Sequence, residues 1–177
     1  MTAPFGLTDT ATCIGHYAYL ERRGFEILGG WTVEVADPVA KAMVDRHAQH
    51  HAWRAGQWWD RLPMVAHLER DALIAPPPTP AVAMVDALGG LASTVGRLAG
   101  AYRVALPRLA ATYRSHLETA SPVADGPIIR TLRMVLADVE ADWREGEVAL
   151  HTSLTTPTET YAAAYAVARL EAILVRP

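Results

Sequence analysis

Three of the seven histidines in this chain, His47, His50 and His51, fall within the segment DRHAQHHAW, residues 45 to 53. On a helix, residues three and four apart share a face, so His47 with His50, or His47 with His51, are spaced to ligate one ion. Imidazole and carboxylate groups are costly to bury unless they are paired, hydrogen-bonded or metal-bound. The helical pattern sends Glu21, His116 and Asp142, with Asp138 or Glu145, toward the same interior or its edge. The candidate metal ligands are therefore Glu21, His47, His50, His51, His116 and Asp142. Mixed carboxylate and imidazole donors suit iron, with manganese or zinc as alternatives, and one cysteine excludes a cysteine-held iron–sulfur cluster.

Each of these residues also has a purely structural use. Glu21 would pair with Arg54 across a helix interface, and His50 would point sideways into solvent. His116, near a helix end, would be favoured there by the helix dipole. Asp138, Asp142 and Glu145 would form a solvated stripe. Trp53, Trp58, Trp59 and Trp143 read as packing residues. Tyr17 and Tyr113 matter chemically only beside a metal that binds oxygen. No Gly-rich phosphate loop and no Gly-x-Ser-x-Gly elbow is present.

Positioning these groups requires helices. Apolar residues recur at three and four rather than at two, so the expected fold class is all-α. A first helix begins near Thr8 or Asp9 and is ended by Gly29 and Gly30. Its inward stripe is Ile14, Tyr17, Ala18, Glu21, Phe25 and Leu28. A second opens with the capping pair Asp37-Pro38 and closes before Pro63, carrying the histidines on the face of Met43 and Val44. Residues 63–79, proline-rich at their end, form a crossover connection longer than usual for a bundle. A third helix runs from Thr79 to His116, interrupted at Gly89-Gly90 and kinked at Pro107. The fourth follows Pro127 and carries Leu132, Val135 and Val139, and a short C-terminal helix spans 158–175.

The length of 177 residues fits a single helical-bundle domain, 1–177. The N-terminus lacks the basic stretch and apolar run of a secretory signal, and the lone Cys13 has no partner for a bridge, so a cytoplasmic location is expected. No apolar run is long enough to span a bilayer, and a net charge of −3 with interspersed signs offers no stripe for a phosphate backbone. Neither membrane nor nucleic acid is expected as a partner. A small-molecule substrate or ligand is, as is a homodimer formed through the Trp-rich end of the second helix.

Hairpin, long crossover, hairpin is the order of a four-helix bundle with one crossover. At this point the chain, over residues 8 to 151, resembles the ferritin-like di-metal carboxylate superfamily. Glu21 stands where that family has its first-helix carboxylate, and His50 where it has the histidine of Glu-x-x-His. His47 stands in place of that motif's glutamate and His116 in place of the second hairpin's carboxylate. Asp142-x-x-Glu145 replaces the second motif. The resemblance implies an altered, His-rich centre and a non-haem iron or manganese oxidase or oxygenase acting on a small organic substrate. Alternatives are a non-redox ferritin-like module that binds a small molecule or dimerises, and a metal-dependent transferase. The last rests on "HAQHHAWRAGQ", which is similar to a His-x-x-x-His segment of DinB-like bundles. There His47 and His51 would ligate, with His16 or His116 as the third ligand.

Overall fold

The computed structural model describes residues 6–64 and 69–175, and every element among them is helical. The elements are α1 (Leu7–Trp31), α2 (Pro38–Trp59), the single turn α3 (Arg70–Leu73), α4 (Thr79–Gly89), α5 (Thr94–Ala99), a π-helical turn (Gly100–Ala105), α6 (Leu106–Thr119), α7 (Gly126–Ser153) and α8 (Pro157–Val175). No helix among the described residues is long and apolar enough to cross a membrane.

The ends of α1 differ from expectation. Gly6 is its N-cap, and its backbone N–H donates to the Asp9 carboxylate. Gly29 and Gly30 lie inside the helix, which continues to the buried Trp31. The helix closes when both the backbone N–H and the hydroxyl of Thr32 donate to the Gly29 carbonyl. Burying the indole outweighs the roughly 1 kcal/mol that each glycine costs in a helix interior. Along the stripe, Ile14, Tyr17, Ala18, Glu21 and Leu28 are buried, whereas Phe25 is turned outward at 46% exposure and Ile27 takes an inward place. The start of α2 is as the Asp37-Pro38 pair requires: the Asp37 carboxylate accepts the Ala40 N–H at 2.7 Å.

The connection expected at 63–79 holds the one-turn α3, and its residues 65–68 lie outside the described residues, as do 1–5 and 176–177. Arg70 of α3 donates to the Leu62 carbonyl and sits over the Trp59 ring, with Arg22 also over that ring. Within the Trp-rich end of α2, Trp58 is fully buried, Trp59 is half-buried and Trp53 is exposed.

The long third helix is broken once, after α4, and α5, the π turn and α6 then run on without interruption. Gly90 caps α4, Ser93 opens α5 through its hydroxyl, and the π turn leads into α6. Pro107 stands in the first turn of α6, directly after the π turn. A proline ring collides with the carbonyl four residues earlier in an α-helix, and the wider turn ahead of α6 relieves that collision. There the Leu106 N–H reaches back five residues to the Ala101 carbonyl.

The hairpins α1–α2 and α6–α7 meet where α2 packs on α7, and α8 lies along α5 and α4. Thus α8, at 19 residues, is an integral wall rather than a tail, with Ala163, Ala166 and Leu170 buried.

Candidate functional site: a buried polar seam between α1, α2 and α7

The centre of the seam is Arg54, with no exposed surface. Its Nε donates to both oxygens of the fully buried Glu21 at 3.0 Å, and its Nη1 donates to Asp142 at 2.8 Å and Asp138 at 2.5 Å. Burial opposes the charge on Arg54, but these three carboxylates hold it firmly protonated. Burial alone would raise the Glu21 carboxyl. Arg54 and His51, together with hydrogen bonds from His51 and Tyr113, instead hold it below its ordinary range. As an anion, Glu21 accepts from Tyr113 at 2.7 Å, and Tyr113 accepts from the Trp58 indole at 3.0 Å. Burial, then the neighbouring Glu21, pushes the Tyr113 phenol far up, so it stays a donor.

The three clustered histidines divide two and one: His47 and His50 stack on each other and both reach Asp142 on α7, whereas His51 turns to α1. His51 lies 2.5 Å, through Nδ1, from Glu21 on α1. An ionised carboxylate only accepts, so Nδ1 carries the proton. His47 turns the opposite way: Nε2 is 3.2 Å from Glu145 and 3.4 Å from Asp142, while Nδ1 is 2.8 Å from the Tyr102 hydroxyl. By the same reasoning its Nε2 donates and Nδ1 accepts from Tyr102. Burial pushes its basicity down, against the pull of Asp142 and Glu145. His50 is part-exposed, with Nδ1 2.7 Å from Asp142. His116 sits apart, hydrogen-bonded to Tyr17 at 3.1 Å, with burial lowering its basicity against Asp125.

The grouping of three that could hold a metal among the described residues is therefore His50, Asp138 and Asp142, whose ligand atoms all lie within 4.8 Å of one another. Of the sequence candidates, His50 and Asp142 meet there. Glu21, His47 and His51 belong to the surrounding hydrogen-bonded network, and His116 to the aromatic cluster of Tyr17, Tyr113 and Trp58. The i, i+4 pair His47 and His51 is divided between α7 and α1. Asp138 and Glu145, expected as a solvated stripe, instead contact Arg54 and His47.

Three residues of the seam were not singled out by sequence reasoning. Tyr102 is the first, and its hydroxyl fixes the His47 tautomer. Gly146 lies under the Tyr102 ring, where a Cβ would come within 2.1 Å of a ring carbon. Gly24 plays the same part for His51, where a Cβ would stand 2.5 Å from Nδ1. The signal available in the sequence was glycine inside strongly periodic helices, where it costs stability unless close packing demands it; in α1 that signal is shared by Gly15, Gly24, Gly29 and Gly30.

The seam thus defines a class of protein: an all-helical fold enclosing a carboxylate-, imidazole- and guanidinium-lined centre. No family model, curated protein or solved structure matches the chain.

Proposed function

We propose that this protein is a helical bundle of the ferritin-like kind that binds one divalent metal ion, iron first and manganese or zinc next, through His50, Asp138 and Asp142. The observation that carries this reading is the convergence of those three donors within 4.8 Å. Charge supports it. Among the described residues, Glu21, Asp138, Asp142 and Glu145 meet two guanidinium groups, Arg46 and Arg54, so the fixed charge of the seam is net negative and favours a cation. Arg54 supports it too, because Nη1 engages one oxygen of each aspartate and orients the other, as outer partners of metal ligands do. Glu21 has both oxygens committed to Arg54, His51 and Tyr113, which favours one metal over a pair.

A redox-active ion held here would supply oxidase or oxygenase chemistry on a small organic substrate. The chain's own part is to orient the aspartates through Arg54, to hold the His47 proton on Nε2 between Asp142 and Glu145, and to exclude water around Glu21. Metal analysis of untagged protein after anaerobic loading with Fe(II), Mn(II) or Zn(II) tests the reading. We expect one ion per chain, reduced at least tenfold in His50→Ala, a part-exposed position that leaves the core intact. Less than about a tenth of an ion in the unaltered protein defeats it, as metal-ligand sites of this donor set bind stoichiometrically. Oxygen uptake by the Fe(II)-loaded protein then tests the redox step.

A further inference from the structure

On the side of α2 away from the aspartates, a partly enclosed cavity of about 250 Å³ lies among α1, α2, α4, the π turn, α6 and α8. Its walls are aliphatic, with Leu28, Met84, Val85, Leu88 and Leu106 among them. His51 is the polar residue set into them from the interior, while Arg108 and Thr112 stand at the solvent side. The imidazole of His51 is 4% exposed, and its Nδ1–H is committed to Glu21. Its other nitrogen, Nε2, has no hydrogen-bond partner among the described residues and keeps some accessible surface. A wall of this composition offers that edge no partner, so its hydrogen-bonding capacity is open to a ligand.

The geometry points to a binding site for a small, uncharged, largely apolar molecule carrying one hydroxyl group, a phenol or a compact alcohol, whose hydroxyl meets His51 Nε2. The volume suits one ring with a short substituent, since a cavity of about 150 Å³ already holds benzene. A hydroxyl matches this edge in either protonation state of the ring, because it donates to an imidazole lone pair and accepts from an imidazolium N–H. A carboxylate head does not belong in this cavity. It would be desolvated against an aliphatic wall with no free cation to meet it, since Arg54 is committed to Glu21 and Arg108 is engaged by Glu171. Gly24 is part of the same device: any side chain there would push the His51 ring out of its place beside the cavity.

The site stands independently of the metal reading, and its test uses metal-free protein in the presence of a chelator. Calorimetric titration with 4-propylphenol is compared with propylbenzene, which has the same body and no hydroxyl. We expect saturable one-to-one binding of the phenol, about three- to tenfold tighter than the hydrocarbon, the worth of one net hydrogen bond. Ala81→Phe fills the cavity from α4 without touching the polar seam, and is expected to abolish binding of both while the helical circular dichroism is unchanged. His51→Gln is expected to reduce the preference for the phenol. Equal affinity for the two probes overturns the role of His51. Absence of saturable binding, or full binding by a folded Ala81→Phe variant, overturns the site. Should His51→Gln fail to fold, the two probes on the unaltered protein and Ala81→Phe still decide the matter.

Discussion

Arg54 reaches Glu21, Asp138 and Asp142 from a position with no solvent contact, and this makes it the residue on which the seam depends. Truncating one partner of a buried ion pair leaves the other charge desolvated and unpaired. Arg54→Ala is therefore expected to lose about 3–5 kcal/mol of stability in urea denaturation. The double variant Arg54→Ala, Glu21→Leu should recover part of that loss, because it removes the stranded carboxylate. A double variant no more stable than the single one would mean that Glu21 is not the group Arg54 neutralises. The pair Glu21–Arg54 is legible in the sequence, since both fall on inward stripes of adjoining helices. That Arg54 also holds Asp138 and Asp142 was not legible, because side-chain reach across to α7 depends on how the two hairpins are set together.

At the scale of the elements, the informative features are those that let helices approach. Gly146 admits the Tyr102 ring against α7, and thereby the hydroxyl that holds His47. Gly146→Ala is expected to cost about 1–3 kcal/mol through overpacking against that ring. Gly29, inside α1 with open space where a Cβ would stand, provides the contrast. Gly29→Ala is expected to stabilise by about 0.5–1 kcal/mol by restricting the unfolded chain and favouring helix. Urea midpoints of the two variants should move in opposite directions, and parallel movement would contradict the packing described for Gly146. Sequence periodicity marks where helices run but treats both glycines alike. The π turn was hidden for the same reason: Pro107 announces a disturbance, while the place that absorbs it depends on the packing of the buried Ala101, Tyr102 and Val104.

For the molecule as a whole, the groups that titrate below neutral pH set a common direction. Burial lowers the basicity of His16 and His116 from the ordinary value of 6.5, so below it the unfolded chain takes up protons that the folded chain resists. Their contribution is complete above that value and declines as pH falls through it. Glu21 is held below its ordinary 4.5, so its contribution is lost as pH falls further, through its folded value. Stability measured by urea midpoint should thus rise with pH to a plateau above about 6.5, and fall again above about 10, where the unfolded chain releases the protons that the buried Tyr17, Tyr102 and Tyr113 phenols retain. His116→Gln should flatten the upper part of the rise. A maximum near pH 5 would be inconsistent with these directions.

The sequence by itself determined the all-helical class, the Asp37-Pro38 start of α2, the inward placement of Glu21, His47 and His51, and the separation of two hairpins by a connection after α2. These follow from local periodicity and capping, which act over a few residues. Only the tertiary structure decided that α1 runs through Gly29 and Gly30, that Phe25 turns outward, and that α8 forms a wall. It alone decided that the histidine cluster splits, His51 to Glu21, His47 to Tyr102 and Glu145, and His50 to Asp142. Neighbours four residues apart share a face only approximately, and which partner each ring takes depends on charges and cavities contributed by helices distant in sequence.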